Sequence, residues 1–190
     1  MKELKGTKTE QNLINAFAGE SQARNRYTIF SKIAKKEGYE QISQIFLDTA
    51  ENEREHAKLF YQYLGNIDGH VDAYYPFELG TTEQNLESGV KGERDEWETI
   101  YRKGEEDAKE EGFDEISETF RLVRTVEQHH SERYALLLKN VKENSIFQKH
   151  EPEEWVCRKC GYIVHSTTAP KKCPLCHHPQ GYFEIKSEKF

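Results

Sequence analysis

The chain has 190 residues, a formal net charge of −7, 32% charged residues and a mean hydropathy of −0.92. That is room for one helical bundle of about 145 residues and a small second module. The acidic balance speaks against nucleic acid and anionic membranes as partners. The N-terminus has no apolar run to serve as a signal or anchor, so a reducing cytoplasm is the expected location.

The first predicted helix carries the stripe Leu13, Phe17, Ala23, Tyr27, Phe30, Ala34, with Glu20 in phase with it. Glu37-Gly38-Tyr39 follows, a triplet in which a left-handed glycine stops one helix and lets the next begin at once. The second helix runs Ile42, Ile45, Phe46, Thr49, Ala50, Ala57, Phe60, Tyr63, Leu64 along one face, and Glu53 and His56 continue that face. From Gly65 to Thr82 the turn formers Asp68-Gly69, Tyr75-Pro76 and Gly80 exclude a tight turn and predict a connection that crosses the bundle end to end. Such a connection also leaves open an exchange of hairpins between two chains.

On the third helix Glu93 and Glu96 share a face with Val90, Trp97 and Ile100, and a second Glu-Gly-aromatic turn stands at Glu111-Gly112-Phe113. The fourth helix presents Ile116, Phe120, Val123, Tyr134, Leu137, Leu138 and Val141, with Glu127 and His130 in phase. His129 points about 100° away from His130 and receives no role. His70, His150, His165, His177 and His178 have no helix-phased partner and also receive none.

The two hairpins repeat one another at a constant offset without a gap: Tyr27/Tyr101, Glu37/Glu111, Gly38/Gly112, Phe46/Phe120, Glu53/Glu127 and His56/His130 are among the identical pairs. Counted from Gly38, Glu20 stands at −18 and Glu53 and His56 at +15 and +18; counted from Gly112, Glu93 and Glu96 stand at −19 and −16 and Glu127 and His130 at +15 and +18. Residues equidistant from a turn share a height in an antiparallel pair, so five carboxylates and two imidazoles converge on one layer of a four-helix bundle.

A Glu from each of two helices plus Glu-x-x-His from each of the other two is the carboxylate-bridged dinuclear pattern. Mixed oxygen and nitrogen donors favour iron or manganese over zinc or calcium. The formal charge of about −5 is roughly matched by two divalent or two trivalent ions. Tyr27 and Tyr101, each within about two turns of a carboxylate, are placed to donate hydrogen bonds to ligands, or else are ordinary core tyrosines.

A break around Asn144 to Pro152 reads as a linker, giving domains 1–146 and 152–190. The tail uses all four cysteines in two knuckles, Cys157-Arg158-Lys159-Cys160 and Cys173-Pro174-Leu175-Cys176, the spacing of a tetrahedral sulfur site for one zinc or iron. A module of this size rarely folds without such a staple.

The two in-phase Glu-x-x-His motifs, the stretch Ala18-Gly19-Glu20-Ser21-Gln22-Ala23-Arg24-Asn25-Arg26-Tyr27 and the stretch Trp155-Val156-Cys157-Arg158-Lys159-Cys160-Gly161-Tyr162 together resemble rubrerythrin over nearly the whole chain. The resemblance implies a mainly α fold: a ferritin-like diiron four-helix bundle followed by a rubredoxin-like domain holding one iron by four cysteines. It implies a peroxidase of oxidative-stress defence that reduces hydrogen peroxide to water. Electrons would come ultimately from NAD(P)H through a redox protein such as rubredoxin or its reductase. The family's ligand set falls on Glu20, Glu53, His56, Glu93, Glu96, Glu127 and His130, with Tyr27 and Tyr101 beside it, and on Cys157, Cys160, Cys173 and Cys176. Family precedent also has one iron exchanging His56 for Glu96 between redox states, and a homodimer or higher oligomer is expected. A ferroxidase or iron-handling bundle is the alternative, and it leaves the cysteine module unexplained.

Overall fold

The computed structural model describes residues 3–187. Helix α1 (Lys8–Lys36) starts at Thr7, whose hydroxyl accepts from the backbone N–H of Glu10, and α2 (Glu40–Leu64) returns along it. The turn between them follows the expected glycine chemistry: Gly38 has φ +85°, and the N–H groups of Gly38 and Tyr39 bond back to the carbonyls of Lys35 and Ala34. The second hairpin repeats it, with Gly112 at φ +74° between α4 (Tyr101–Glu110) and α5 (Asp114–Lys142).

Residues 65–81 carry no helix or strand and are strapped to α1. The Asn15 side chain donates to the Asp72 carbonyl and accepts from the Asp72 N–H, both at 3.0 Å. The Tyr75 hydroxyl donates to the Asn15 carbonyl at 2.9 Å. The strap ends at α3 (Thr82–Asp95), which begins beside the Gly38 turn, where the Thr82 N–H donates to Glu37. The Gly112 turn lies at the opposite end, where Glu111 accepts from the N–H groups of Lys8 and Thr9. The two hairpins therefore pack head to tail, and one chain supplies all four rods of the bundle.

The third rod departs from the continuous helix expected from the sequence. Glu96–Ile100 forms a π-helical turn between α3 and α4. Tyr101 and Tyr27 precede their turn glycines, Gly112 and Gly38, by the same interval, yet Glu93 precedes Tyr101 by one position more than Glu20 precedes Tyr27. The wider turn absorbs that extra residue and brings Glu93 back onto the inner face.

Two apolar clusters bracket the carboxylate layer. Tyr27, Phe30, Phe46, Leu86 and Tyr134 pack toward the Gly38 end, and Leu13, Phe60, Tyr101, Phe120 and Val123 toward the Gly112 end. Phe30, Phe46, Phe60 and Phe120 are almost wholly buried, each contributing about 1.5–3 kcal/mol.

The tail is a three-stranded antiparallel sheet of order β2-β1-β3, formed by β1 (Gln148–Cys157), β2 (Ile163–Thr168) and β3 (Phe183–Ile185) around Trp155, Cys157, Ala169, Cys173 and Phe183. The first strand begins at Gln148, ahead of the second domain expected from the sequence to start at Pro152. Gln148 already pairs with Thr168, and an irregularity before Glu153 accommodates Pro152, which has no N–H to give a ladder. The sheet docks on the Gly38 turn: Tyr39 stacks on Phe147 at 6.0 Å, and Gly181 lies so close that a Cβ there would overlap the Gly38 carbonyl.

Candidate metal centres

Six of the seven expected bundle ligands meet in one buried layer. Glu20 comes from α1, Glu53 and His56 from α2, Glu93 from α3, and Glu127 and His130 from α5; all are buried, His56 the most exposed at 7%. Their donor atoms form two overlapping groups, Glu20/Glu53/His56/Glu127 and Glu53/Glu93/Glu127/His130, each spanning no more than 4.8 Å.

The two shared residues are oriented as bridges. Glu53 turns Oε2 toward His56 Nδ1 at 3.0 Å and Oε1 toward His130 Nδ1 at 3.3 Å. Glu127 turns Oε1 toward His56 Nδ1 and Oε2 toward His130 Nδ1, both at 2.9 Å. Glu20 and Glu93 stand farther out, at 3.7 Å from His56 and 3.5 Å from His130.

The buried oxygens of Glu53 and Glu127, one oxygen each of Glu20 and Glu93, and both Nδ1 atoms have no hydrogen-bond partner of good geometry. Buried polar atoms left unsatisfied are costly, and so many aimed at two common points fit a pair of cations. Without metal, the layer distorts proton affinities. Burial raises Glu20 well above the carboxylate range, and burial with the Glu53 charge pushes Glu93 up to about 8. Burial disfavours the charged forms of Glu127 and His130 too, but the contacts of Glu127 with His130 and His56, and of His130 with Glu127, Glu53 and Glu93, together outweigh it, holding Glu127 down to about 2 and His130 up to about 12.

Tyr101 and Tyr27 each reach a carboxylate of this layer, and they do so across the hairpins. Tyr101 donates to Glu20 at 2.6 Å, and Tyr27 donates to Glu93. Each hairpin thus steadies the other's terminal carboxylate. Asn52, which the sequence offered no reason to choose, stands 3.2 Å from His130 Nε2; its Oδ1 accepts there when Nδ1 is the free ligand atom. Glu96 lies outside both ligand groups, half-buried at the start of the π turn, where it lines a cavity of about 690 Å³. His129 is exposed.

The four cysteines form the second cluster. Cys157 and Cys176 lie 3.7 Å apart at sulfur, as do Cys160 and Cys173, and none is disulfide-bonded. Four bonds of about 2.3 Å to a central ion give a tetrahedron with edges of about 3.8 Å, so the cage has the size one ion needs. Burial raises the Cys173 thiol, but the N–H groups of Cys176 and Leu175 aimed at its sulfur bring it down to about 7. Gly161 and His177, the residues that follow the knuckles, both have positive φ, +76° and +61°.

Comparison with known proteins agrees with both centres. The rubrerythrin family matches residues 11–138, and the rubrerythrin rubredoxin-like domain matches residues 155–184. Rubrerythrin-1 of Clostridium acetobutylicum is 55% identical over the whole of both chains. The rubrerythrin of Porphyromonas gingivalis is 50% identical over 96% of this chain and 92% of its own. Among solved structures, partially reduced nigerythrin aligns over 97% of this chain and 89% of its own, with 31% identity and a TM-score of 0.65.

Proposed function

The chain belongs to the rubrerythrin family, and on that premise we propose that it is a peroxidase reducing hydrogen peroxide to water. As a family member it is an oxidoreductase of oxidative-stress defence, with a carboxylate-bridged diiron site and one iron in a rubredoxin-like sulfur cage. No described helix is long and apolar enough to cross a membrane.

The observation that carries the reading is the bridging orientation of Glu53 and Glu127, each giving one oxygen to either side of the layer. We assign Glu20 with His56 to one iron, Glu93 with His130 to the other, and Glu53 with Glu127 to both. Glu96 is assigned as the spare carboxylate to exchange with His56. When bound, the iron pair supplies two electrons and open positions for peroxide. The residues around it hold the geometry: Tyr101 and Tyr27 fix Glu20 and Glu93, and Asn52 fixes the His130 ring. The apolar clusters on either side keep bulk water from the two ends of the layer, and Glu96 stands between the layer and the cavity.

Cys157, Cys160, Cys173 and Cys176 are assigned to a closed iron that relays single electrons, with NAD(P)H as the ultimate source through a redox protein. The tail sits on the Gly38 turn, and Glu53 and His56 stand at +15 and +18 from that glycine, along α2. The helical rise makes this a separation of about 22–27 Å, a long span for an electron. A homodimer that sets one chain's tail beside the other chain's bundle shortens it, and the break between the end of α5 at Lys142 and the start of β1 at Gln148 allows such a placement.

The test is anaerobic. One equivalent of hydrogen peroxide per diiron site is added to reduced protein while the visible spectrum and residual peroxide are followed. Prompt peroxide loss with reoxidation of the bundle irons is expected. Slow loss, beside rapid oxidation by dioxygen in a parallel sample, identifies a ferroxidase instead.

A further inference from the structure

The cavity lined by Glu96 lies between α1 and the rod formed by α3, the π turn and α4, with residues 72–76 of the strap on its wall. Arg26 also lines it. The residue is only 9% exposed, its Nε and Nη1 are buried without a hydrogen-bond partner, and it makes no ion pair among the described residues. Ser88 on the facing helix lines the same cavity with a buried, unpartnered hydroxyl. Arginine cannot shed its proton, so burial leaves Arg26 charged and unmatched.

What the protein supplies instead is aromatic. The guanidinium carbon stands 5.4 Å from the Tyr27 ring centre and 6.0 Å from that of Phe30, which steadies the cation and leaves its N–H groups free. Gly92 provides the room: a Cβ there would stand 3.0 Å from Arg26 Nη2. Water can satisfy the N–H groups but brings no charge.

We propose that Arg26 and Ser88 form a binding site for a small oxyanion, of the phosphate or carboxylate class, in the cavity beside the diiron layer. The planar fork donates to two oxygens of such an ion side by side, and the Ser88 hydroxyl donates to a third or to one of the two. Asp72, Glu78, Asp95 and Glu96 line the same cavity together with Lys91 and Lys103, and the four carboxylates repel a bulky polyanion that would extend away from Arg26.

The test uses full-length, iron-loaded, anaerobically reduced protein and inorganic phosphate as the probe. Calorimetry gives the affinity, and broadening of the phosphorus resonance by the nearby irons gives the location. Wild-type protein is expected to bind one phosphate per chain with a broadened line. Arg26→Gln is expected to weaken binding about 30-fold, and Arg26→Lys, which keeps charge but loses the fork, about 10-fold. Ser88→Ala is expected to weaken it about 5-fold. If Arg26→Gln does not load iron, Arg26→Lys and Ser88→Ala still have to show their losses. Absence of binding overturns the site, and so does binding that the variants leave unchanged, which marks phosphate held by the irons themselves. A change of oligomeric mass in Arg26→Gln with no phosphate bound to the wild type also overturns it, by assigning the guanidinium to a second chain.

Discussion

Glu111 accepts from both the backbone N–H of Thr9 at 2.9 Å and its hydroxyl at 2.6 Å. A residue of the second hairpin's turn thereby closes the first turn of α1. The other end of the bundle shows the matching relationship, with Glu37 accepting from the Thr82 N–H at 3.0 Å at the start of α3. Each Glu-Gly-aromatic turn does two things: its glycine reverses its own hairpin, and its glutamate satisfies helix N–H groups of the other hairpin that would otherwise have no acceptor.

Glu111→Gln is expected to lower stability by about 1 kcal/mol, a fall in Tm of about 2–4 °C. Burial alone would raise the Glu111 carboxyl, but the Thr9 hydroxyl and the N–H groups of Thr9 and Lys8 bring it below its ordinary value. A lowered carboxyl contributes stability above its unfolded pKa and loses it as the pH falls through the folded one. The variant's deficit is therefore full near neutral pH and shrinks in acid. Melting curves of both proteins at several pH values check this, and a deficit that grows in acid contradicts it.

The π turn has a sharper consequence. Removing one of its residues, the exposed Glu98, is expected to let α3 and α4 run as one continuous α-helix, with Glu93 seven positions before Tyr101, as Glu20 stands before Tyr27, and so still on the inner face. Helical content by circular dichroism stays near that of the parent, and bundle iron stays at two per chain. Loss of bundle iron from the deletion variant would show that the turn does more than absorb the extra residue.

Much of this site was legible because its signals are periodic. Glu53, His56, Glu127 and His130 announced themselves through the core stripe and the internal repeat, and the cysteine cage through its spacing. The one-residue mismatch between Glu20 and Glu93 was visible, but periodicity alone does not distinguish a slightly different height from a local change of helix type. Asn52, Arg26 and Ser88 carried no signal, since their importance comes from what faces them across the bundle. The early start of β1 was hidden because Lys149, His150, Glu151, Pro152 and Glu153 have the composition of a linker and lie mostly exposed on a small sheet.

Gly181→Ala tests the docking of the tail. The added methyl overlaps the Gly38 carbonyl, backbone that cannot move aside cheaply, while the cysteine cage lies outside the contact. The visible spectrum of the sulfur-bound iron is expected to stay unchanged, and cleavage in the segment 143–147 by a protease to become faster. Steady-state peroxide turnover then separates two arrangements. Retained turnover favours electron passage between chains without this dock, and a fall in proportion to undocking assigns the dock a part in the relay. An unchanged cleavage rate would show that the contact does not hold the tail in place.

Removing the metal gives a prediction whose sign the ligand layer determines. In the metal-free bundle Glu93 titrates at about 8 rather than 4.5, chiefly through burial, and Glu20 is raised for the same reason. His130 is held at about 12 rather than 6.5 because its contacts with Glu127, Glu53 and Glu93 outweigh burial. Between about pH 5 and 8 the folded chain thus binds more protons than the unfolded chain, and stability falls as the pH rises. For Glu93 and Glu20 the rise means growing strain as burial opposes their ionisation. For His130 the favourable contacts are fully present below pH 6.5 and are lost toward 12. Glu127, held at about 2, acts oppositely, but only below its ordinary value of 4.5. Metal-free protein is therefore expected to melt at a lower temperature at pH 8 than at pH 5.5. Iron-loaded protein is expected to show the reverse trend, since metal binding displaces those protons and strengthens as they become easier to remove. Melting curves of both forms across this range decide the matter, and a metal-free protein that gains stability toward pH 8 would contradict the electrostatics assigned to the layer.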